Sequence, residues 1–423
     1  MILARARTRA GEYAKAQDAI SRMPNQYLQD RIWIEECKAH LAWSQYQLEA
    51  AVSHAQEWLR LSPDPAPALH YLSLLHVSSG NTEEGAKTLA TLKKLRQSHG
   101  SASIRKSAGK DLLDNLLREL RVNPFANRSL AAALQLPIAE RPPALGLALL
   151  DEPNYVGSSM AMLITLSRLA LIGDEPVSHG PVPSRIPRHV IQFWDNDPPP
   201  DITELMQTWT TQCSGFTHEV FNEIAAESFI AKECQPDVLR AFKTATQPTM
   251  KSDLFRLAYL YARGGIYADA DDKCRHSIEP WLTNGLDLLL LQEDLGSIGN
   301  NFIAAAPNHP LILAALKAVT QNILHKQGGG AWWSSGPAML SLAFCNLYLD
   351  ALSQSRMPGG VQIINCYHIT KRISMHVPRA YKNSDKHWSS PKSQARREFT
   401  YNKAIRIDRT NAGWTLNVAP ELR

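Results

Sequence analysis

An α/β domain preceded by an all-α helical repeat domain is the fold this chain predicts, and three observations predict it. A helical phrase recurs through the first hundred residues at a spacing of about 34–35 residues. Beyond residue 186, short runs with period-two alternation take turns with helix-length amphipathic stretches. Between these two regions lies a proline- and glycine-bearing segment, Gly173–Pro187, suited to a linker. The expected organisation is a tetratricopeptide-like domain over 1–125, a helical connector and linker over 126–185, and an α/β domain over 186–423.

The repeats read Gly11-Glu-Tyr-Ala-Lys-Ala-Gln-Asp-Ala-Ile20, Gln45-Tyr-Gln-Leu-Glu-Ala-Ala-Val-Ser-His54 and Gly80-Asn-Thr-Glu-Glu-Gly-Ala-Lys-Thr-Leu89. Small residues at Ala14, Ala51 and Gly85 or Ala86 are expected where neighbouring helices approach closely. Pro63, Pro65 and Pro67 fall between repeats, where a helix can begin but cannot continue. A helix over 101–125 carries Leu112, Leu113, Leu116 and Leu120 on one stripe and suits the cap of a helical stack. Another helix is expected over Met160–Ile172.

The α/β domain opens with a strand at Ile186–Trp194, broken by Asp195–Pro200. A helix over 202–212 contains Trp209, and a second strand spans Phe216–Asn222. Helices over Asn222–Cys234 and Pro236–Ala245 lead to the central phrase. After it come an apolar strand at Leu286–Glu293 and a helix from Ala338 to about Leu352.

The central phrase is Lys251–Asp272. Leu254, Leu257, Ala258 and Tyr261 mark a helix stripe. Asp253 and Arg256, three apart, are neighbours on that helix. Gly264 and Gly265 end it. The next residues switch to period two, which would put Tyr267, Asp269 and Asp271 on one face of a strand. Two carboxylates on alternate residues make an oxygen-rich site suited to Mg²⁺ or Mn²⁺ carrying a diphosphate. A phosphatase using Asp269 as nucleophile would need a threonine or valine soon after, and Asp272-Lys273-Cys274 does not supply one.

Composition sets broad limits. The chain has 423 residues, enough for two or three domains, and its 44% hydrophobic and 20% charged residues exclude extended disorder. The net charge of +5 suits anionic small substrates without marking a nucleic-acid binder. Six scattered cysteines form neither a zinc pattern nor a disulfide framework, and suit a reducing compartment. Arginines near the start lead into no apolar run, so no signal peptide is expected. No run reaches the roughly 18 apolar residues of a membrane span.

The helix with Ser252-Asp253 and Arg256, the Gly264-Gly265-Ile266-Tyr267 turn and the Asp269-Ala270-Asp271 pair together resemble the DXD glycosyltransferases of the sugar-binding-region family. That family includes fungal initiating α-mannosyltransferases, bacterial capsule and lipopolysaccharide sugar transferases and, more distantly, clostridial glucosylating toxins. The resemblance covers about Ile186–Trp388. It implies a GT-A, Rossmann-like nucleotide-binding domain and a nucleotide-sugar donor, with UDP favoured over GDP, serving a glycan or protein acceptor. It further implies Mn²⁺ or Mg²⁺ on Asp269 and Asp271, with Asp253 and Arg256 on the donor sugar and Tyr267 beside it. Gln192 and Trp194 would meet the nucleotide, although Ile191 stands where the family often has His. Asn301, with Asn300 beside it, would touch sugar or acceptor, and Asp272 would support the pair. Ser335 replaces the threonine of a Thr-Gly-Pro loop. His387 and Trp388 would close a C-terminal loop over the donor, with His376 a weaker candidate. Family members retain the anomeric configuration, and the sequence shows no nucleophile for a double displacement.

The resemblance and the missing anchor together suggest a bacterial, cytoplasmic enzyme of polysaccharide biosynthesis. At most it would touch the inner membrane peripherally, through the basic tail Lys392–Arg409. The repeats suggest a protein partner. A catalytically inactive, repeat-containing binding scaffold is the second function considered, and the intact acidic pair argues against it.

Overall fold

The computed structural model describes residues 1–98, 113, 116–117, 120–121, 123–176, 184–282, 285–325 and 330–379, together with the backbone of 405–410 and 413–418. Two compact units divide the chain. The first comprises Met1–Leu171 with 294–296 and 352–355, and the second the remainder.

The first unit is helical. Ile2–Arg9 pairs with Tyr13–Ser21, Leu28–Ser44 with Leu48–Leu61, and Ala66–Ser78 with Thr82–Ser98. The first helix of each pair ends in the same way. Gly11, Tyr46 and Gly80 take left-handed φ values of 69°, 51° and 69°. The residue after each donates its N–H five positions back, Glu12 to Arg7, Gln47 to Ala42 and Asn81 to His76. This is the glycine-type C-cap of a helix, used three times. The steps are 46 − 11 = 35 and 80 − 46 = 34 residues, so the sequence period is a geometric period.

That cap corrects the register by one residue, since Tyr46 and not Gln45 is the equivalent of Gly11. The close-approach positions lie five residues beyond each cap, at Ala16, Ala51 and Gly85, all buried. Ala14, expected in this role, faces solvent. At Gly85 an added Cβ would lie 3.0 Å from Leu117 Cδ2, which is why that position is the smallest of the three. Pro67 falls in the first turn of its helix, as its missing N–H allows.

Helices Pro124–Leu134, Arg141–Asp151 and Val156–Arg168 belong to this same unit, so it extends beyond the boundary expected at 125. The last of them stops at Arg168, short of Ile172, because Ala170 turns left-handed at φ 55°. Residues 101–112 of the expected capping helix and 177–183 of the linker lie outside the described residues, but Leu113, Leu116 and Leu120 are buried.

The second unit is α/β. Its strands are β1 His189–Phe193, β2 Thr217–Phe221, β3 Gly265–Ala268, β4 Lys273–Cys274, β5 Leu288–Gln292, β6 Ile298–Ala305, β7 Val361–Asn365 and β8 Ile373–Ser374, with β9 Ile405–Thr410 and β10 Gly413–Val418 near the end. Six of them form one sheet in the order β2-β1-β3-β6-β5-β7. Parallel pairs join β2 to β1, β1 to β3 and β5 to β7, while β6 runs antiparallel to both its neighbours. Helices Pro200–Gln212, Glu223–Glu233, Pro236–Thr244 and Pro248–Arg263 connect the first three strands. With helices over both faces, β1, β3 and β5 are buried almost throughout, which explains their continuous apolar character.

Gly264 and Gly265 are both required between the helix and β3. They sit at φ 67° and 111°. A Cβ on Gly265 would lie 2.7 Å from the His189 carbonyl oxygen, and one on Gly264 2.7 Å from Pro307. Among the described residues, no helix is long and apolar enough to cross a membrane.

Candidate active site

The site lies where β1 and β3 end and β6 begins, at the carboxyl edge of parallel strands where α/β sheets commonly bind ligands. β3 stops at Ala268, so the expected strand continuation through Asp271 is not what pairs the carboxylates. Asp269–Asp272 instead forms a tight turn, with Asp272 N–H donating to the Asp269 carbonyl at 3.1 Å. Asp269 N–H donates to the Asn301 carbonyl at 2.8 Å, pinning the turn to β6. The turn, and not strand alternation, brings Asp269 and Asp271 together.

A third group joins them. β4 follows the turn directly and pairs antiparallel with β8, Lys273 opposite Ser374 and Cys274 opposite Ile373. Two residues past β8, His376 arrives beside the aspartates. Ligand atoms of Asp269, Asp271 and His376 all lie within 4.8 Å of one another. His376 is exposed and left-handed at φ 50°, a costly conformation for a non-glycine residue. It is held there by its own N–H on Asp272 Oδ1 at 2.7 Å and by Val377 N–H on the Asp271 carbonyl at 3.1 Å. Two carboxylates and an imidazole are a donor set that fits a divalent ion such as Mn²⁺.

The remaining predicted residues split between lining this site and supporting it. Asp269 keeps 27% of its side chain exposed, whereas Asp271 is buried at 9%. Burial pushes the Asp269 carboxyl above its usual pKa, and the Asp271 charge adds to the shift. Asp272 is fully buried and its pKa is raised well above the usual carboxylate range, first by burial and then by the charges of Asp271 and Asp269. It accepts hydrogen bonds from Asn301 Nδ2 at 2.8 Å and from His376 N–H. Asn301 is therefore turned to Asp272, and Asn300, only partly buried, stands nearer the open side.

Arg256 is a hub. Its guanidinium lies 3.0 Å from Asp253 and 3.3 Å from Asp269, with the Arg256 side chain 4% exposed. It also donates to Ser252 Oγ at 2.9 Å and to the Asn300 carbonyl, and rests 4.3 Å over the Tyr267 ring. Burial works against its charge, but Tyr267, Asp269, Asp253 and Asp272 outweigh that and hold its pKa above the usual value. Ser252 and Tyr267 hydroxyls are 2.8 Å apart, and Tyr267 donates to Asp269 Oδ1 at 3.0 Å. Tyr267 is wholly buried, so it sits beneath Asp269 and does not flank it.

Asp253 is equally enclosed. It accepts from Ser335 Oγ at 2.7 Å and Asn300 Nδ2 at 2.9 Å, which ties the Gly330–Gly336 loop to the site. Burial raises its pKa, against the opposing effects of Arg256, Ser335 and Asn300. Gln192 is fully buried and donates to the Asp269 carbonyl at 3.1 Å. Trp194 is half-buried and packs with Val377 against Ile202, Leu205, Met206 and Ala270, which places an aromatic face at the rim. Trp388 and His387 lie outside the described residues.

Sequence reasoning placed His376 among the weaker candidates and passed over Ser252 as a contributor. No local signal marks His376, 107 positions from Asp269 (376 − 269), because only the β4–β8 pairing brings it in.

Residues 199–286 match the family model described as glycosyltransferase sugar-binding region containing DXD motif. The chain carries a DXD-motif sugar-binding region. This region includes Asp253, Arg256, Asp269 and Asp271, while His376 and Ser335 lie beyond it. Among curated proteins, the chain is 26% identical over 44% of its length to inositol phosphoceramide mannosyltransferase 1 of Schizosaccharomyces pombe, covering 59% of that protein. It is 26% identical over 29% of its length to the initiation-specific alpha-1,6-mannosyltransferase of Candida albicans, covering 34% of it. A third relative, putative glycosyltransferase HOC1 of Saccharomyces cerevisiae, is 23% identical, over 34% of this chain and 41% of that protein. The matches thus span between 34% and 59% of these relatives' own lengths. The three are fungal and lend no support to the expected bacterial origin. Among solved structures, PaToxG Glycosyltransferase matches with TM-score 0.34 at 16% identity, over 51% of this chain and 87% of that one.

Proposed function

We propose that this protein is a metal-dependent, retaining mannosyltransferase that moves mannose from GDP-mannose to a glycan acceptor. The carrying observation is the Asp269–Asp271–His376 cluster at the end of a sugar-binding region of DXD type. GDP-mannose replaces the UDP-sugar that the resemblance favoured, because two of the relatives above are named mannosyltransferases. The acidic pair is intact, which disfavours an inactive scaffold.

The hard step is departure of a nucleoside diphosphate, which leaves charge on phosphate oxygens. Asp269, Asp271 and His376 would hold a divalent ion, which would supply Lewis-acid stabilisation of that charge. The chain's own residues hold those ligands in place. Arg256 and Tyr267 orient Asp269, and Asp272 holds the His376 backbone. Trp194 offers a face for the base, and Asn300 and Asp269 present polar atoms toward the sugar. In a retaining transfer the acceptor hydroxyl attacks from the leaving-group side, its proton passing to the departing phosphate. The helical unit, with its period of 34 and 35 residues, is proposed as a tetratricopeptide-type surface for a polypeptide.

The test is turnover of a panel containing GDP-mannose, UDP-glucose and UDP-N-acetylglucosamine with Mn²⁺, on wild type and Asp271→Asn. Mn²⁺-dependent consumption of GDP-mannose, reduced at least about 100-fold by the substitution, is expected. A folded wild type that consumes no donor overturns the proposal, and preference for a UDP-sugar overturns the donor assignment alone.

A further inference from the structure

The amide of Gln192 touches the main chain of the acidic turn, and it is itself held by a residue that sequence reasoning did not single out. Gln192 Nε2 lies 3.1 Å from the Asp269 carbonyl oxygen and Gln192 Oε1 lies 2.8 Å from His218 Nε2. A carbonyl only accepts, so the NH₂ end of Gln192 must face Asp269 and its oxygen must face His218. His218 must then donate, which requires the proton on Nε2; in the neutral ring Nδ1 is then bare. The Thr210 hydroxyl lies 3.3 Å from that Nδ1 and can donate to it. All three bonds therefore run in one direction, from Thr210 through His218 and Gln192 to the Asp269 carbonyl. Burial lowers the His218 pKa, and neighbouring His189 lowers it further, consistent with a neutral ring of one tautomer.

The end of this chain matters because of what the Asp269 carbonyl does. It also accepts the Asp272 N–H that closes the turn. A flipped Gln192 would set its own carbonyl against that oxygen and push on the turn carrying Asp269 and Asp271. Helix Pro200–Gln212 holds the turn a second way, with Trp209 Nε1 on the Asp272 carbonyl at 3.1 Å and Thr208 Oγ1 accepting from Cys274 N–H at 2.9 Å. His218, on edge strand β2, lies outside the site and reaches its acidic turn through Gln192.

We infer that His218 is a positioning residue: it fixes the Gln192 amide and through it the Asp269–Asp272 turn that binds the metal and donor diphosphate. This rests on the transferase reading for its purpose, but its test does not. His218→Phe keeps the ring shape without the donor, and His218→Gln restores an N–H near the place of Nε2. Hydrogen exchange of a peptide spanning 266–274, read without metal or donor, is expected to be roughly tenfold faster in His218→Phe and within about twofold of wild type in His218→Gln. Mn²⁺ affinity, by titration calorimetry, is expected to follow with a roughly tenfold loss and the same rescue. Unchanged exchange in the Phe variant overturns the inference, and so does a Gln variant as impaired as the Phe variant, since packing would then be the cause. Should His218→Phe not fold, Thr210→Val at an exposed helix position carries the test. About two- to threefold faster exchange is expected there from losing the tautomer lock, and unchanged exchange overturns the inference. Wild-type donor turnover, measured separately, decides the transferase function.

Discussion

Arg256 shows how one buried residue can serve a site it does not line. Its guanidinium neutralises Asp253 and Asp269 while meeting Ser252, Asn300 and Tyr267, so removing it strands the buried Asp253 carboxylate and unpairs the part-exposed Asp269. Arg256→Met is expected to cost about 3–5 kcal/mol in urea unfolding and to lower turnover about 100-fold. Unchanged stability would show that the pair contributes nothing net. Asp253 and Arg256 were legible as neighbours from their spacing. That they face inward to Ser335 and Asp269 was not, because spacing along a helix does not say which side is covered.

Another residue-scale prediction concerns His40 in the helical unit. Burial, with Arg5 and Arg9 nearby, lowers its pKa from 6.5 to about 4. The unfolded state binds the proton more readily, so the contribution is present above pH 6.5 and is lost as pH falls through 4. The linkage is on the order of 3 kcal/mol. Wild type should lose about that much more stability than His40→Gln between pH 7 and pH 4, as read from urea midpoints. Parallel pH dependence in the two proteins would refute the assignment.

At the scale of elements, the join from helix Pro248–Arg263 to β3 is the most tightly constrained. Gly265 is left-handed and a Cβ there meets backbone, which cannot move aside. Gly265→Ala is expected to destabilise by about 2 kcal/mol or more and to impair Mn²⁺ binding, since β3 delivers Asp269. Wild-type melting and affinity in that variant would show that the strand tolerates a shift. Strand β1 falls within the segment read from alternation and β5 within the continuous apolar run, and helices fall between the strands, because burial imposes its pattern on sequence. The acidic turn escaped that logic. Alternation of Tyr267, Asp269 and Asp271 looks like a strand, yet β3 stops at Ala268 and a local i to i+3 bond closes a turn there, although β6 runs on beside it. The repeat register slipped for a related reason: the left-handed cap at Tyr46 is held by packing, and no glycine announces it.

For the whole molecule, an ion held at the Asp269–Asp271–His376 cluster would couple the site to stability. Any ligand that binds only the native state raises stability, by about 2.7 kcal/mol at a concentration 100 times its Kd. Mn²⁺ is expected to raise the melting temperature of the α/β unit in a concentration-dependent way, and Asp271→Asn to abolish the shift. A variant still stabilised by Mn²⁺ would place the ion elsewhere.

The class of both units, the helical period, the helix-to-strand join and the nearness of Asp269 to Asp271 were all legible in the chain. Each depends on neighbours within a few residues, or on a periodicity that burial writes directly into the chain. Tertiary structure alone decided that His376 completes the acidic pair, that Asn301 and Gln192 turn inward to support it, and that His218 holds Gln192. Those partners come from strands and loops tens to more than a hundred positions apart, and the pairings of β1 with β2 and β3, of β3 with β6, and of β4 with β8 bring them together.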